Sequence, residues 1–94
     1  MNKYQLLFII ENSLSEEDKT ALIDKFSDLI VSLGGTVNGI DKWGTRTLAY
    51  PINYKTEGYY VLINFESGPD APIEIDRQMR INDGIVRQMI TKKV

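Results

Sequence analysis

Two stretches of this chain are apolar on both of their alternating faces, and they limit what it can become. In the first, Tyr4, Leu6, Phe8 and Ile10 alternate with Leu7 and Ile9; in the second, Tyr59, Val61, Ile63 and Phe65 alternate with Tyr60 and Leu62. A strand with one wet side alternates apolar with polar, so a run without a polar side belongs in the middle of a sheet. The 94 residues make a single domain, 1–94, that must surround two central strands with everything else it has.

The remaining segments supply that surround. Ser13 with Glu16, or Ser15 with Asp18, brings a hydroxyl to the free N–H groups of a helix start and an acid to its positive end. Leu22, Phe26, Leu29 and Leu33, with Ile23 and Ile30 beside them, recur at helical steps until Gly34-Gly35 ends the pattern. Thr36 to Tyr50 is rich in β-formers and is closed by Pro51, which suits an edge strand. Asn53 to Gly58 reads as the turn before the second central strand. Ser67 to Pro72 is a loop delivering a second helix, with Pro72 at its first position, that runs through Ile75 and Met79 to about Asn82. Ile85 to Lys93 is the last strand.

The order strand, helix, strand, strand, helix, strand predicts two split strand-helix-strand units with right-handed crossovers. This is an α+β ferredoxin-like sandwich: a four-stranded antiparallel sheet with both helices on one face and the first and third strands central. One apolar set of the central strands goes under the helices. The other is left as an exposed patch, and such patches mark interaction surfaces. Parity alone does not say which set is which.

Composition removes most chemistry from the candidates. The chain has no Cys and no His, so it lacks thiolate nucleophiles, the usual neutral-pH base and the commonest metal ligands. Carboxylates remain, but Glu16, Glu17, Asp18, Asp24 and Asp28 follow the polar face of a helix pattern and read as a solvated surface. We therefore expect no catalytic residues, no metal and no cofactor. No apolar run approaches membrane-spanning length, and the apolar run at the N-terminus is cut off by Glu11 and Asn12 too soon for a signal peptide, so a cytoplasmic, membrane-free protein is expected.

Charge is polarised along the chain although the net is only −2. Residues 11–28 carry a balance of −4, and residues 77–94, with Arg77, Arg80, Arg87, Lys92 and Lys93 against Asp83, carry +4. The basic end is a candidate for meeting phosphate; ordinary solubilising charge and salt bridges to Asp76 or Asp83 are the plainer account. Lys42 and Arg46 share parity on the expected edge strand, where charge also protects against edge-to-edge aggregation. Arg46 between Thr45 and Thr47 could donate hydrogen bonds to phosphate. Trp43 and Tyr50 read as half-buried packing aromatics. The Gly-aromatic strand of single-strand RNA-recognition modules is matched only loosely, since Glu57, Tyr60 and Val61 depart from it, which argues against base stacking there.

Trp43-Gly44-Thr45-Arg46-Thr47-Leu48-Ala49-Tyr50-Pro51-Ile52, followed by Glu57-Gly58-Tyr59-Tyr60, by Glu74-Ile75-Asp76-Arg77 and by Arg80-Ile81-Asn82-Asp83 with Arg87, closely resembles the bacterial small-subunit ribosomal protein six family. The resemblance also covers Tyr4 to Ile10 and the Gly34-Gly35 helix end. It implies a structural, non-enzymatic constituent of the small ribosomal subunit, a monomer when isolated. Such a protein joins with ribosomal protein eighteen to bind the central domain of small-subunit ribosomal RNA. By this resemblance Arg46, Arg80 and Arg87 are RNA-binding candidates, and Lys42, Lys92 and Lys93 join them on charge. Leu48, Tyr50 and Ile52, with Trp43 and Tyr60, are the partner-binding candidates. Thr45 and Thr47 are neutral where many members are more basic, and the chain ends at Val94 where some members continue in a charged tail. A homo-oligomerising or sensing module that uses the open sheet face is the alternative.

Overall fold

The computed structural model describes residues 2–52 and 55–93, with side chains except at 48–52, 55 and 56. Strand β1 (Asn2–Glu11) leads through helix α1 (Glu16–Ser32) to strand β2 (Thr36–Ile52), which pairs with strand β3 (Lys55–Ser67); helix α2 (Ala71–Arg80) and strand β4 (Ile85–Lys92) complete the order. All pairings are antiparallel, and the strands lie in the order β2-β3-β1-β4. The doubly apolar runs are thus the central pair, as their pattern requires. The helices cover the set Tyr4, Leu6, Phe8 and Ile10 with Val61, Ile63 and Phe65, which are buried together with Ile23, Phe26, Ile30, Ile75 and Met79. Phe8 meets Phe26 edge-on at 6.1 Å, and Tyr4 stacks on Phe65 at 5.4 Å. Ring pairs of this kind add directional attraction to the area they bury.

Of the two helix starts that the sequence allows, the structure uses the second. Ser15 is the N-cap and its hydroxyl accepts from the Asp18 N–H at 3.1 Å, whereas Ser13 donates to Glu11. At the other end, Gly35 N–H bonds to Ile30 C=O and Gly34 N–H to Val31 C=O, the paired closure of a Schellman turn. The two glycines serve different needs. Gly34 sits at φ 84°, where a side chain would be strained, while a Cβ on Gly35 would come within 2.9 Å of the Glu66 and Ile30 carbonyls.

Several expected details are corrected. The buried line of α1 is Lys19, Ile23, Phe26 and Ile30, while Leu22 and Leu29 are partly buried and Leu33 is exposed. The helix is rotated by about one position from the stripe centred on its leucines. Lys19 is only 5% exposed, and its ammonium lies 5.0 Å from the Tyr59 ring centre and 3.5 Å from Asn12 Oδ1. Both hairpin strands run further than the sequence suggests: β2 continues past Pro51 to Ile52, and Lys55 to Gly58 belong to β3 rather than to a turn. The rest of the expected turn, Asn53 and Tyr54, lies outside the described residues. Helix α2 starts at Ala71, which puts Pro72 second, and ends at Arg80.

Candidate docking surface

The face turned away from the helices answers what parity left open. Cross-strand pairing aligns it in rows: Gly44, Tyr60, Ile9 and Arg87 in one; Asp41, Leu62, Leu7 and Met89 in the next; Gly39, Asn64, Gln5 and Thr91 in a third. The central pair therefore presents Leu7, Ile9, Tyr60 and Leu62 outward. Ile9 is only 7% exposed, between Tyr60 and Arg87 in its row, while Met89 is 54% exposed near the β4 edge. Leu7, Ile9, Arg87, Gln88 and Met89 line a shallow depression of about 270 Å³. Met89 is missing from the sequence candidates, although its alternation with Arg87 places it on this face.

The β2 border of the face is built by a bulge. Lys42 pairs with Val61 and Gly44 with Tyr60, so Trp43 is an extra residue in β2, and Gly44 takes φ 85° beside it. The Trp43 ring is brought over the sheet, stacked on Tyr60 with centroids 6.3 Å apart and planes 8° apart. Its indole N–H donates to Asp41 at 3.0 Å, and the Arg46 guanidinium lies 5.5 Å from the Trp43 ring centre. Arg46, Trp43 and Tyr60 form one continuous stack. The bulge also separates Lys42 from Arg46, which simple alternation puts on one side: Lys42 opposite buried Val61 belongs to the helix-covered side and Arg46 to the open one.

The basic candidates divide accordingly. Arg46 stands on the β2 edge of the open face and Arg87 on the β4 edge, three strand spacings or about 14 Å across the sheet and offset by two residues along it. Lys93, whose N–H bonds to the Lys3 carbonyl, follows Arg87 in parity just beyond β4. Lys92 pairs with Tyr4 and faces the helical side. Arg80 is on α2 and is bound to Asp76 at 2.8 Å. Its neighbour Arg77 grips Glu74, and that hydrogen bond, aided by one from Gln78, pulls the Glu74 carboxyl down to about 2. Of the partner candidates, Trp43 and Tyr60 meet on the open face. Leu48, Tyr50 and Ile52 belong to the distal part of β2, and their side chains lie outside the described residues.

A polar clamp behind this face holds the hairpin to the first helix. Thr45 Oγ1 donates to Asn12 Oδ1 at 2.9 Å, and the Asn12 amide donates to Glu57 at 3.5 Å, so one loop residue bridges β2 and β3 next to Lys19. Nothing in the local sequence marks Asn12 for this task. Among the described residues no cluster of acids could hold a metal ion, and no helix is long and apolar enough to cross a membrane.

Comparison with known proteins agrees with this architecture and with the resemblance carried by the Trp43 to Ile52 string. The chain is 46% identical over 92 residues to small ribosomal subunit protein bS6 of Caldanaerobacter subterraneus subsp. tengcongensis, covering 98% of this chain and 97% of that one. It is 50% identical over 90 residues to the protein of the same name from Clostridium novyi, covering 96% and 95%. The crystal structure of 30S ribosomal protein S6 from Thermotoga maritima superposes with a TM-score of 0.94 at 25% identity, over 98% of this chain and 87% of that one. The family described as Ribosomal protein S6, whose members are structural proteins of the small ribosomal subunit and not enzymes, matches residues 3–92, and the chain belongs to it.

Proposed function

We propose that this protein is a structural constituent of the small ribosomal subunit that binds, jointly with ribosomal protein eighteen, to the central domain of small-subunit ribosomal RNA. The observation that carries the reading is the composition of the open face: an apolar centre of Leu7, Ile9, Tyr60, Leu62 and Met89 bordered by Arg46 on one edge and Arg87 on the other. An apolar centre fits a protein surface, because burying it gains free energy only where water leaves. Arginines at the rim fit phosphate, which supplies affinity without needing a deep site. The proposed RNA contacts are Arg46, Arg87 and Lys93 on this side, with Arg80, Lys92 and Lys42 reaching RNA from the helical side. The proposed partner contacts are Trp43 on β2 and Tyr60 on β3, with Leu48, Tyr50 and Ile52 further along β2.

A protein of net charge −2 gains little from RNA by itself, so its partner has to contribute positive charge. Titration of labelled central-domain RNA should give weak binding by this chain alone, and tighter, salt-sensitive binding once ribosomal protein eighteen is added. Equal affinity in the two titrations would sink the joint mechanism. A homodimer in sedimentation that persists with the partner present would instead support self-association through the open face.

A further inference from the structure

The two edges of the sheet are built differently. Strand β2 is interrupted by extra residues at Asn38 and Trp43, each followed by a glycine, which breaks the even spacing of its outer backbone groups. Strand β4 has one irregularity, at Val86 near its start, and from Arg87 to Lys92 its register against β1 is unbroken. Lys93 N–H bonds to Lys3 C=O, which makes Lys3 and Lys93 a hydrogen-bonded pair; by antiparallel alternation Thr91, Met89 and Arg87 also turn their backbone groups toward β1. Gln88, Ile90 and Lys92 therefore point their N–H and C=O groups outward, evenly spaced, at an edge that no described strand covers.

The side chains flanking this edge differ between the two faces. On the open face stand Arg87, Met89, Thr91 and Lys93. On the helical side, a depression of about 400 Å³ opens beside the edge, lined by Tyr4, Pro72, Ile73, Asp76, Ile90 and Lys92. Ile73, 70% exposed, is the most exposed large apolar side chain among the described residues. An apolar side chain on an added strand, opposite Ile90, would enter this depression.

We propose that β4 is an acceptor for strand addition, and that its occupant is an extended, acidic peptide segment of another protein. Main-chain bonds to Gln88, Ile90 and Lys92 give such a site its affinity, and alternate side chains give its specificity. The chemistry specifies acids opposite Arg87 and Lys93, because opposite charges across a strand pair attract. It specifies apolar residues opposite Met89 and Ile90. A second copy of this chain fits poorly: the antiparallel register that engages all three outward residues is centred on Ile90 and sets Arg87 against Lys93. This inference shares Arg87 and Lys93 with the reading of the open face, so peptide and RNA compete for those two side chains, but the outward backbone groups of β4 belong to it alone.

The test uses the full chain, isotope-labelled, with a capped peptide carrying Glu opposite Arg87 and Lys93 and Val opposite Met89 and Ile90. Addition should slow amide exchange at Gln88, Ile90 and Lys92. Replacing both Glu by Lys should weaken binding about tenfold, from two cross-strand charge pairs. Lys92→Pro removes an outward donor without touching a bond to β1, so it should weaken peptide binding while leaving the chain folded. Arg87→Glu with Lys93→Glu should reverse the preference toward the Lys peptide, a result that a merely unfolded edge cannot give. Absence of protection at these amides, protection confined to β2, protection produced by ribosomal RNA fragments in place of the peptide, or the same protection appearing with protein concentration alone would each overturn the proposal.

Discussion

The indole of Trp43 lies parallel to the ring of Tyr60, 6.3 Å between centroids, and carries the Arg46 guanidinium on the same stack. Trp43 is the only tryptophan of the chain, so its fluorescence reports on this face directly. Docking of a protein partner on the open sheet should shift its emission to the blue. Trp43→Ala should lower stability by only about 1 kcal/mol, since the ring is half exposed and loses one aromatic pair, yet weaken partner binding by more than that. Unchanged emission on a saturating partner titration would place the partner elsewhere.

Thr45 and Asn12 are the second pair whose contact can be measured. Their 2.9 Å hydrogen bond ties β2 to the loop before α1, and a bond of this type is worth about 1 kcal/mol net. Thr45→Val and Asn12→Ala should each destabilise by about that amount or slightly more for Asn12, which also contacts Glu57 and Lys19. The double variant should lose less than the sum, because both single changes delete one shared bond. Additive losses in urea denaturation would mean that the clamp does not act as a unit.

The sequence was most legible where one strand's pattern decided the matter alone. Leu7 and Ile9 between Leu6, Phe8 and Ile10 leave β1 nowhere to go but the sheet centre, and the two-helix cover follows from the element order. The helix face was less legible, because the buried line depends on how α1 crosses the sheet, and Lys19 joins that line only when Asn12 and Tyr59 arrive from distant segments. Side assignment along β2 failed for a different reason. Simple alternation kept Lys42 and Arg46 together, and the bulge at Trp43 parted them. A glycine inside a strand pattern is the available signal for such a break, and Gly39 and Gly44 each follow an extra residue.

Glu74 gives the fold its clearest response to acid. Its carboxyl is held at about 2, chiefly by the Arg77 hydrogen bond, against an ordinary value of 4.5. A group lowered on folding stabilises the protein above its unfolded value, and that contribution fades as pH falls from about 4.5 through 2. Because the pair is exposed, the loss of stability in that window should be small. The carbon chemical shift of the Glu74 carboxyl should titrate well below the ordinary glutamate value. Glu74→Gln should remove this part of the acid dependence, and an ordinary titration for Glu74 would show the pair with Arg77 to be broken in solution.

Salt dependence separates the arginines that the fold has placed on different sides. A cation that neutralises one phosphate contributes about 0.7 to 0.9 to the slope of log affinity against log salt, depending on whether the RNA contact is single- or double-stranded. Arg46→Ala and Arg87→Ala, measured with ribosomal protein eighteen present, should each reduce the slope by that amount. Neither should lower the melting temperature much, because surface charges contribute little to holding a domain together. Arg80 stands on α2, off the open face, so Arg80→Ala should change the slope by less. If Arg80 instead gave the largest change, RNA would approach from the helical side, and the apolar open face would be left entirely to the protein partner.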